Sequence, residues 1–324
     1  MTPRPAKQGS SKQREGRWLW IVVALAAHTG WGAYPVLARY LQTISDLPSM
    51  SLLTLGNLLG LCLVALIWLP SIDKGAFGHR LLWVFGLIVV VRGLTNFLAA
   101  RYTLSIYVQL ITQLTPFLVA LLSTALLHEK IPRYTGRAIT LCSAGALLMM
   151  SGNIDLAGAA PDPHRLDWLG ILLAGVSSLA LAVYMIFVRR SVQHQVSGEA
   201  LFLVHLFVLG GSSALLSLGL NEEWSRWRQA GPADWLVFGA FSLGVLVGAN
   251  LGQIVALRRL GAPLVSSLLA WRLVSAMVVG VLLLDERLTS PWQALGAGAV
   301  LVTITWYLWQ QRVVENGESL PPPE

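Results

Sequence analysis

The sequence predicts an all-α polytopic membrane protein with ten transmembrane helices in two inverted five-helix repeats. Three observations predict it. Of 324 residues, 12% are charged and 55% hydrophobic, with a mean hydropathy of +0.64. A water-facing domain carries roughly 25% charged residues, so much of this apolar surface must face lipid. Apolar runs of about 20 residues, each enough to cross a bilayer once, recur along the whole chain. Finally, the second half of the chain repeats features of the first at nearly constant spacing.

The elements follow in order, with boundaries set by where the apolar runs begin and end. A basic tail over 1–17 (Arg4, Lys7, Lys12, Arg14, Arg17) precedes the first span, 18–40. That span exceeds the roughly 7 to 15 apolar residues of a signal peptide and is read as a retained helix. The second span, 49–70, has Gly56 and Gly60 one turn apart, a spacing that lets helices approach closely. The third, 81–103, carries Arg92 near its middle, and the fourth, 105–127, carries Gln109, Gln113 and Pro116. The fifth, 134–152, closes the first repeat, 18–152, and an external linker covers 153–166. The second repeat, 167–311, holds spans 167–189, 199–220, 233–257, 262–284 and 290–311. Within it Gly244, Gly248 and Gly252 form two overlapping small-residue steps, and Arg272 lies near the middle of the ninth span. The loop from Asn221 to Pro232 interleaves Trp224 and Trp227 with Arg226 and Arg228, the pattern of a short anchoring helix at the membrane interface. The tail over 312–324 is expected to be disordered and cytoplasmic. Cys62 and Cys142 have no metal-ligand spacing and are read as packing residues.

The net charge of +7 is spread in short clusters between apolar runs, which does not make a nucleic-acid surface. It sets orientation instead. With the amino terminus inside, the inner side receives fifteen Lys and Arg and the outer side six: Arg39, Arg101, Arg165, Arg226, Arg228 and Arg287. That bias places both termini in the cytoplasm of a multi-pass protein of the cell inner (plasma) membrane. Most tryptophans fall near span ends, where indole favours the headgroup region; Trp31 and Trp271 lie near mid-span.

Trp18, Tyr34 and Arg39 recur as Trp168, Tyr184 and Arg189, displaced by 150 residues. Ala99, Arg101 and His128-Glu129-Lys130-Ile131 recur as Ala256, Arg258 and Asp285-Glu286-Arg287-Leu288, displaced by 157. Five is an odd number of crossings, so the second copy enters the membrane upside down relative to the first. Glu129 is then cytoplasmic and Glu286 external. Inverted repeats of this kind build secondary transporters, with the site at the repeat interface near the bilayer midplane.

These residues resemble the EamA-type members of the drug/metabolite transporter superfamily. The first half shows the pattern in Ala100-Arg101-Tyr102-Thr103-Leu104-Ser105, Pro116, Glu129, Gly136 and Gly145. The second shows it in Ala256-Leu257-Arg258-Arg259-Leu260-Gly261-Ala262, Glu286-Arg287-Leu288 and Gly296. The resemblance implies a ten-helix carrier without nucleotide that exports or exchanges small metabolites, often amino acids. It also implies a cavity lined by the first, third and fourth helices of each half. Many members carry an acidic residue followed by Pro in the penultimate helix, where this chain reads Trp271-Arg272-Leu273. That departure argues against a cationic substrate and against proton coupling through such a carboxylate.

Arg92 and Arg272 are the residues most in need of an account, because a charge at mid-membrane costs about 2.5 to 3.5 kcal/mol even on insertion scales. No carboxylate lies near mid-span to offset them. One reading gives them the anionic group of a ligand, since the guanidinium fork matches a carboxylate or phosphate; the other has them bonding free carbonyls of a broken helix. Gln109 and Gln113 share one helical face, Asn96 extends the face of Arg92, and Asn250 and Gln253 pair three apart in the eighth span. Each is read as lining a cavity or as bonding between helices. His28, Trp31 and Pro35 form a stripe on the first span, and Tyr34 and Tyr184 are repeat mates; Trp31 and Trp271 offer faces to an apolar part of a ligand. Pro35 and Pro116 free carbonyls and are candidate hinges.

The function this predicts is a secondary transporter of amino acids or related organic anions and zwitterions. It works by alternating access, as exporter or exchanger, through facilitated diffusion or exchange without obligatory proton coupling. The alternative is a lipid flippase or lipid-handling protein whose arginines hold a phosphate headgroup. No P-loop, HExxH or GxSxG motif is present, so the chain is not read as an enzyme and no cofactor or metal is expected. The expected partners are a small-molecule metabolite and membrane lipids, with no nucleic acid, in a monomer or homodimer.

Overall fold

The computed structural model describes residues 10–68, 77–78, 80–127, 134–150, 165–193, 196–260, 270–286 and 290–318. Among the described residues every regular element is helical. The helices are α1 (Ser10–Arg39), α2 (Ser49–Trp68), α3 (Arg80–Tyr102), α4 (Ser105–Thr112), α5 (Thr115–Leu127) and α6 (Thr135–Met150). Then come α7 (Asp167–Gln193), α8 (Gly198–Gly219), α9 (Pro232–Gly239), α10 (Asn250–Leu260), α11 (Ala270–Leu284) and α12 (Pro291–Glu318). Seven helical stretches among the described residues are long and apolar enough to cross a membrane. Their outward faces are apolar and open: Leu66, Leu282 and Leu236 are more than three-quarters exposed. Water would penalise such a surface, while hydrocarbon does not.

Several boundaries differ from those the sequence predicts. Helix α1 begins at Ser10 and continues as a π-helical turn over Tyr40–Ile44, so it is longer than 18–40 at both ends. The fourth span is two helices, because the chain turns at Gln113 and Leu114. Pro116 has no N–H to give the carbonyl of Thr112, and the helix resets there. The eighth span contains a ten-residue π-helical segment, Ala240–Ala249, between α9 and α10. Helix α12 runs to Glu318, through part of the tail expected to be disordered. The His128–Pro132 segment, most of the 153–166 linker and the side chains of Arg189 and Arg258 lie outside the described residues.

Packing runs across the two halves of the chain. Helix α1 packs on α11, on α10 and on the Ala240–Ala249 segment; α7 packs on α3, α4 and α5; α2 packs on α8 and α6 on α12. Close approach depends on particular glycines. A methyl group on Gly32 would lie 2.4 Å from the carbonyl oxygen of Arg272, so α1 and α11 meet backbone to backbone there. Gly56 and Gly60 meet Leu246 and Val247, the helix contact their spacing predicts. Gly244 has nothing within 4 Å, because the π-helical segment rotates the four-residue stripe off a single face.

One end of the bundle is laced by polar side chains. Glu222 accepts from the backbone N–H of Met50 and Ser51 at 2.9 and 2.8 Å, capping α2 from another element. Arg226 pairs with Glu223 and with Asp46. The short helix over Trp224–Arg228 forms as expected, but Trp227 is buried against Trp235 and Phe238 and donates to Ser51. It is a core residue, not an interfacial anchor. Trp18, Trp83, Trp168, Trp235, Trp292 and Trp309 are the exposed ring-bearing helix ends that suit that role. Cys142 is buried as expected, whereas Cys62 is exposed on α2.

Candidate functional site

Seven parts of the fold converge on one central chamber. Helix α1 contributes Trp31, Tyr34 and Pro35, and α3 contributes Val89, Arg92, Gly93 and Asn96. The α3 residues recur at i, i+3, i+4 and i+7, the spacing of one helical face. Gln109 and Thr112 come from α4, Leu181 from α7, His205 and Leu209 from α8, Leu246 from the π-helical segment, and Arg272 from α11. Among the described residues no Asp or Glu lines this chamber.

The two arginines share a tryptophan. The Arg92 guanidinium carbon lies 5.1 Å from the centre of the Trp31 ring and 4.9 Å from that of Tyr184. The Arg272 carbon lies 5.5 Å from Trp31. Aromatic faces attract a cation but offer no hydrogen-bond acceptor in the plane of the guanidinium. Arg272 has such acceptors: its Nε donates to His28 Nδ1 at 2.8 Å, and a terminal nitrogen donates to Gln253 Oε1 at 3.0 Å. Arg92 has ring contacts only; its guanidinium makes no hydrogen bond or ion pair with any described residue.

Three more polar atoms at the chamber are buried without a hydrogen-bond partner among the described residues: Trp31 Nε1, Asn96 Oδ1 and Gln109 Nε2. Two of these are donors and one an acceptor. Orphaned polar atoms are rare in interiors because each forfeits its hydration. Grouped around an unpaired cation, they form a set complementary to a small molecule with an anionic end and a hydrogen-bond donor. Pro35 and Pro116 leave the carbonyls of Trp31 and Thr112 without an i+4 N–H, and both residues line the chamber.

Of the residues singled out in the sequence, Arg92, Arg272, Trp31, Tyr34, Asn96, Gln109 and Pro35 come together here. Tyr184, His28 and Gln253 stand behind them, each against one of the arginines. Gln113 and Pro116 are at the α4–α5 turn, and Asn250 bonds back to the carbonyl of Leu246 at 2.9 Å. Trp271 is turned away: it is 44% exposed and donates to Thr29 at 2.9 Å. His205, which the sequence does not single out, also lines the chamber and is buried edge-on against Tyr184.

Fold and chamber together define a multi-pass helical membrane protein with a polar, cationic centre. Residues 18–151, less than half of the chain, match the EamA-like transporter family, part of the drug/metabolite transporter superfamily. No curated protein matched the chain. Sixteen solved chains match its fold. One, described only as "Crystal structure of protein", superposes with a TM-score of 0.63 at 19% identity, over 92% of this chain and 99% of its own. At that identity the likeness is one of fold.

Proposed function

We propose that this protein moves small organic anions or amino-acid-like zwitterions across the membrane by alternating access, as an exporter or exchanger. The observation that carries the reading is Arg92, a mid-helix cation lining a central chamber with two ring faces and no hydrogen-bonding or ionic partner among the described residues. Leaving a guanidinium unpaired in an apolar bundle is costly, and a carboxylate that accepts its fork removes that cost only when cargo is present.

The packing supports ten spans in two inverted repeats. Exchanging the halves turns α1 against α9–α10 into α7 against α3, and α1 against α11 into α7 against α4–α5; both members of each exchange occur. The α2–α8 and α6–α12 pairs map onto themselves. Two similar bundles related in this way can rock about the chamber between them.

Flux of labelled amino acids and organic acids into proteoliposomes tests the reading. Arg92→Gln should cut flux at least about tenfold, the loss of one charge-assisted hydrogen-bonded contact, at unchanged membrane incorporation. Unaltered flux in the variant would remove Arg92 from the site. Transfer of labelled phospholipid between leaflets in place of soluble acids would give the chamber to a lipid headgroup.

A further inference from the structure

Among the described residues the chamber holds two positive charges and no negative one. The guanidinium carbons of Arg92 and Arg272 lie 5.1 and 5.5 Å from the centre of one indole ring, that of Trp31. Arg272 donates to His28 and Gln253, neither of which carries a negative charge. None of the sixteen Asp and Glu in the sequence falls at mid-span. Glu286 and Asp167, at one end of the bundle, are paired with Arg39 and Arg165. We propose that the chamber selects 2-hydroxy acids with an apolar side chain over the α-amino acids of the same shape. The inference rests on the anion reading of the chamber and narrows that reading to one substrate class.

A 2-hydroxy acid and an α-amino acid both set a hydrogen-bond donor beside the carboxylate on the same carbon frame; they differ in the charge on that donor. In either case the carboxylate accepts the fork of Arg92. With the hydroxy acid, one negative charge enters, and the two guanidiniums are left with a single excess positive charge. With the amino acid, an ammonium enters beside the carboxylate and the excess stays at two. The third cation then has nothing of opposite sign except the carboxylate that Arg92 already shares. Like charges repel more strongly in such a site than in water. The ammonium also gives up far more hydration than a hydroxyl does.

Hydrogen bonding fixes the second group. Trp31 Nε1 and Gln109 Nε2 are buried donors without a hydrogen-bond partner among the described residues, and they suit the carboxylate lone pairs that Arg92 leaves over. Asn96 Oδ1 is the matching acceptor, one helical turn from Arg92 on α3, and it requires a donor from the cargo. A hydroxyl supplies that donor without charge, whereas the carbonyl of a keto acid supplies none. Leu181, Leu209 and Leu246 make an apolar part of the wall, which suits a hydrocarbon side chain.

The test is calorimetric binding to the full chain in lipid nanodiscs near neutral pH, with three probes that share one frame: L-3-phenyllactate, L-phenylalanine and 3-phenylpropionate. Phenyllactate should bind at least about tenfold more tightly than phenylalanine, because of the added repulsion. It should bind about tenfold more tightly than phenylpropionate, which leaves Asn96 Oδ1 unpaired. Asn96→Asp supplies the missing negative charge in the same shape and should shift the preference at least about tenfold toward phenylalanine. Asn96→Leu should erase the advantage of phenyllactate over phenylpropionate. Phenylalanine bound as tightly as phenyllactate overturns the proposal; if Arg92→Gln then abolishes binding of both, the anion reading stands without it. A preference that Asn96→Asp leaves unchanged overturns the proposal as well. Absence of binding by all three probes overturns the anion reading, and the proposal with it.

Discussion

Asn96 is a case where one side chain separates stability from function. Its carbonyl oxygen is buried with no partner among the described residues, and the cost of that orphan weighs against the fold. Replacing it by an apolar residue of the same shape removes the penalty. Asn96→Leu should therefore leave the thermal unfolding midpoint unchanged or raise it, while flux falls about tenfold if the oxygen receives a donor from cargo. A variant with lowered stability and normal flux would make Asn96 a packing residue. At this scale the site was legible where a residue conflicts with its surroundings. Arg92 and Arg272 stand out because an apolar run gives no reason for a guanidinium. Trp271 misleads for a geometric reason. Depth in a span can be read from the sequence, but successive residues on a helix point about 100° apart, so Arg272 and Trp271 cannot both face the chamber. His205 was hidden for the converse reason: its neighbours are ordinary, and only the approach of α7 and α3 makes it part of the site.

At the scale of elements, close contact and small residues have to be told apart. Gly32 and Gly244 look alike in the sequence, yet a methyl group would lie 2.4 Å from a backbone oxygen at Gly32 and would meet nothing within 4 Å at Gly244. Backbone cannot give way as a side-chain tip can. Gly32→Ala should force α1 from α11 and lower stability by about 1 to 3 kcal/mol, with a matching drop in the unfolding midpoint. Gly244→Ala should be neutral or slightly stabilising, since alanine favours a helix over glycine. Equal effects at the two sites would contradict the packing described. Spans were legible because burial in lipid demands apolar runs, and their existence is robust to local backbone detail. The break at Gln113–Leu114 was half legible through Pro116. The π-helical segment was not, because it leaves no proline behind and only re-registers the side chains that follow.

For the whole molecule, the end that the charge bias assigns to the outside is held by a buried ion pair set into a helix junction. Arg39 donates to the carbonyls of Ala100, Arg101 and Thr103 at the carboxyl end of α3, at 3.3, 3.1 and 2.8 Å. Glu286 accepts from Ser105 N–H at 3.1 Å and Ser105 Oγ–H at 2.6 Å at the amino end of α4. Each charge thus meets the helix end of opposite polarity, and the two meet each other at 3.4 Å. Thr103, between them, donates to Asp167 at 2.6 Å, which brings in α7. One cluster therefore ties α1, the α3–α4 junction, α7 and the end of α11, which all border the chamber. A carrier working by alternating access must undo such a cluster to open this side. Breaking a buried pair by removing one partner costs about 3 to 5 kcal/mol, and that loss falls on the closed arrangement. Glu286→Gln keeps the shape and removes the charge. In a background with Cys62→Ser and Cys142→Ser, and with Asn96→Cys as reporter, a membrane-impermeant thiol reagent added outside intact cells should label slowly. With Glu286→Gln added, labelling should speed up at least about tenfold. Unchanged labelling at equal surface expression would mean that the ion pair is a fixed strut and that the chamber opens elsewhere.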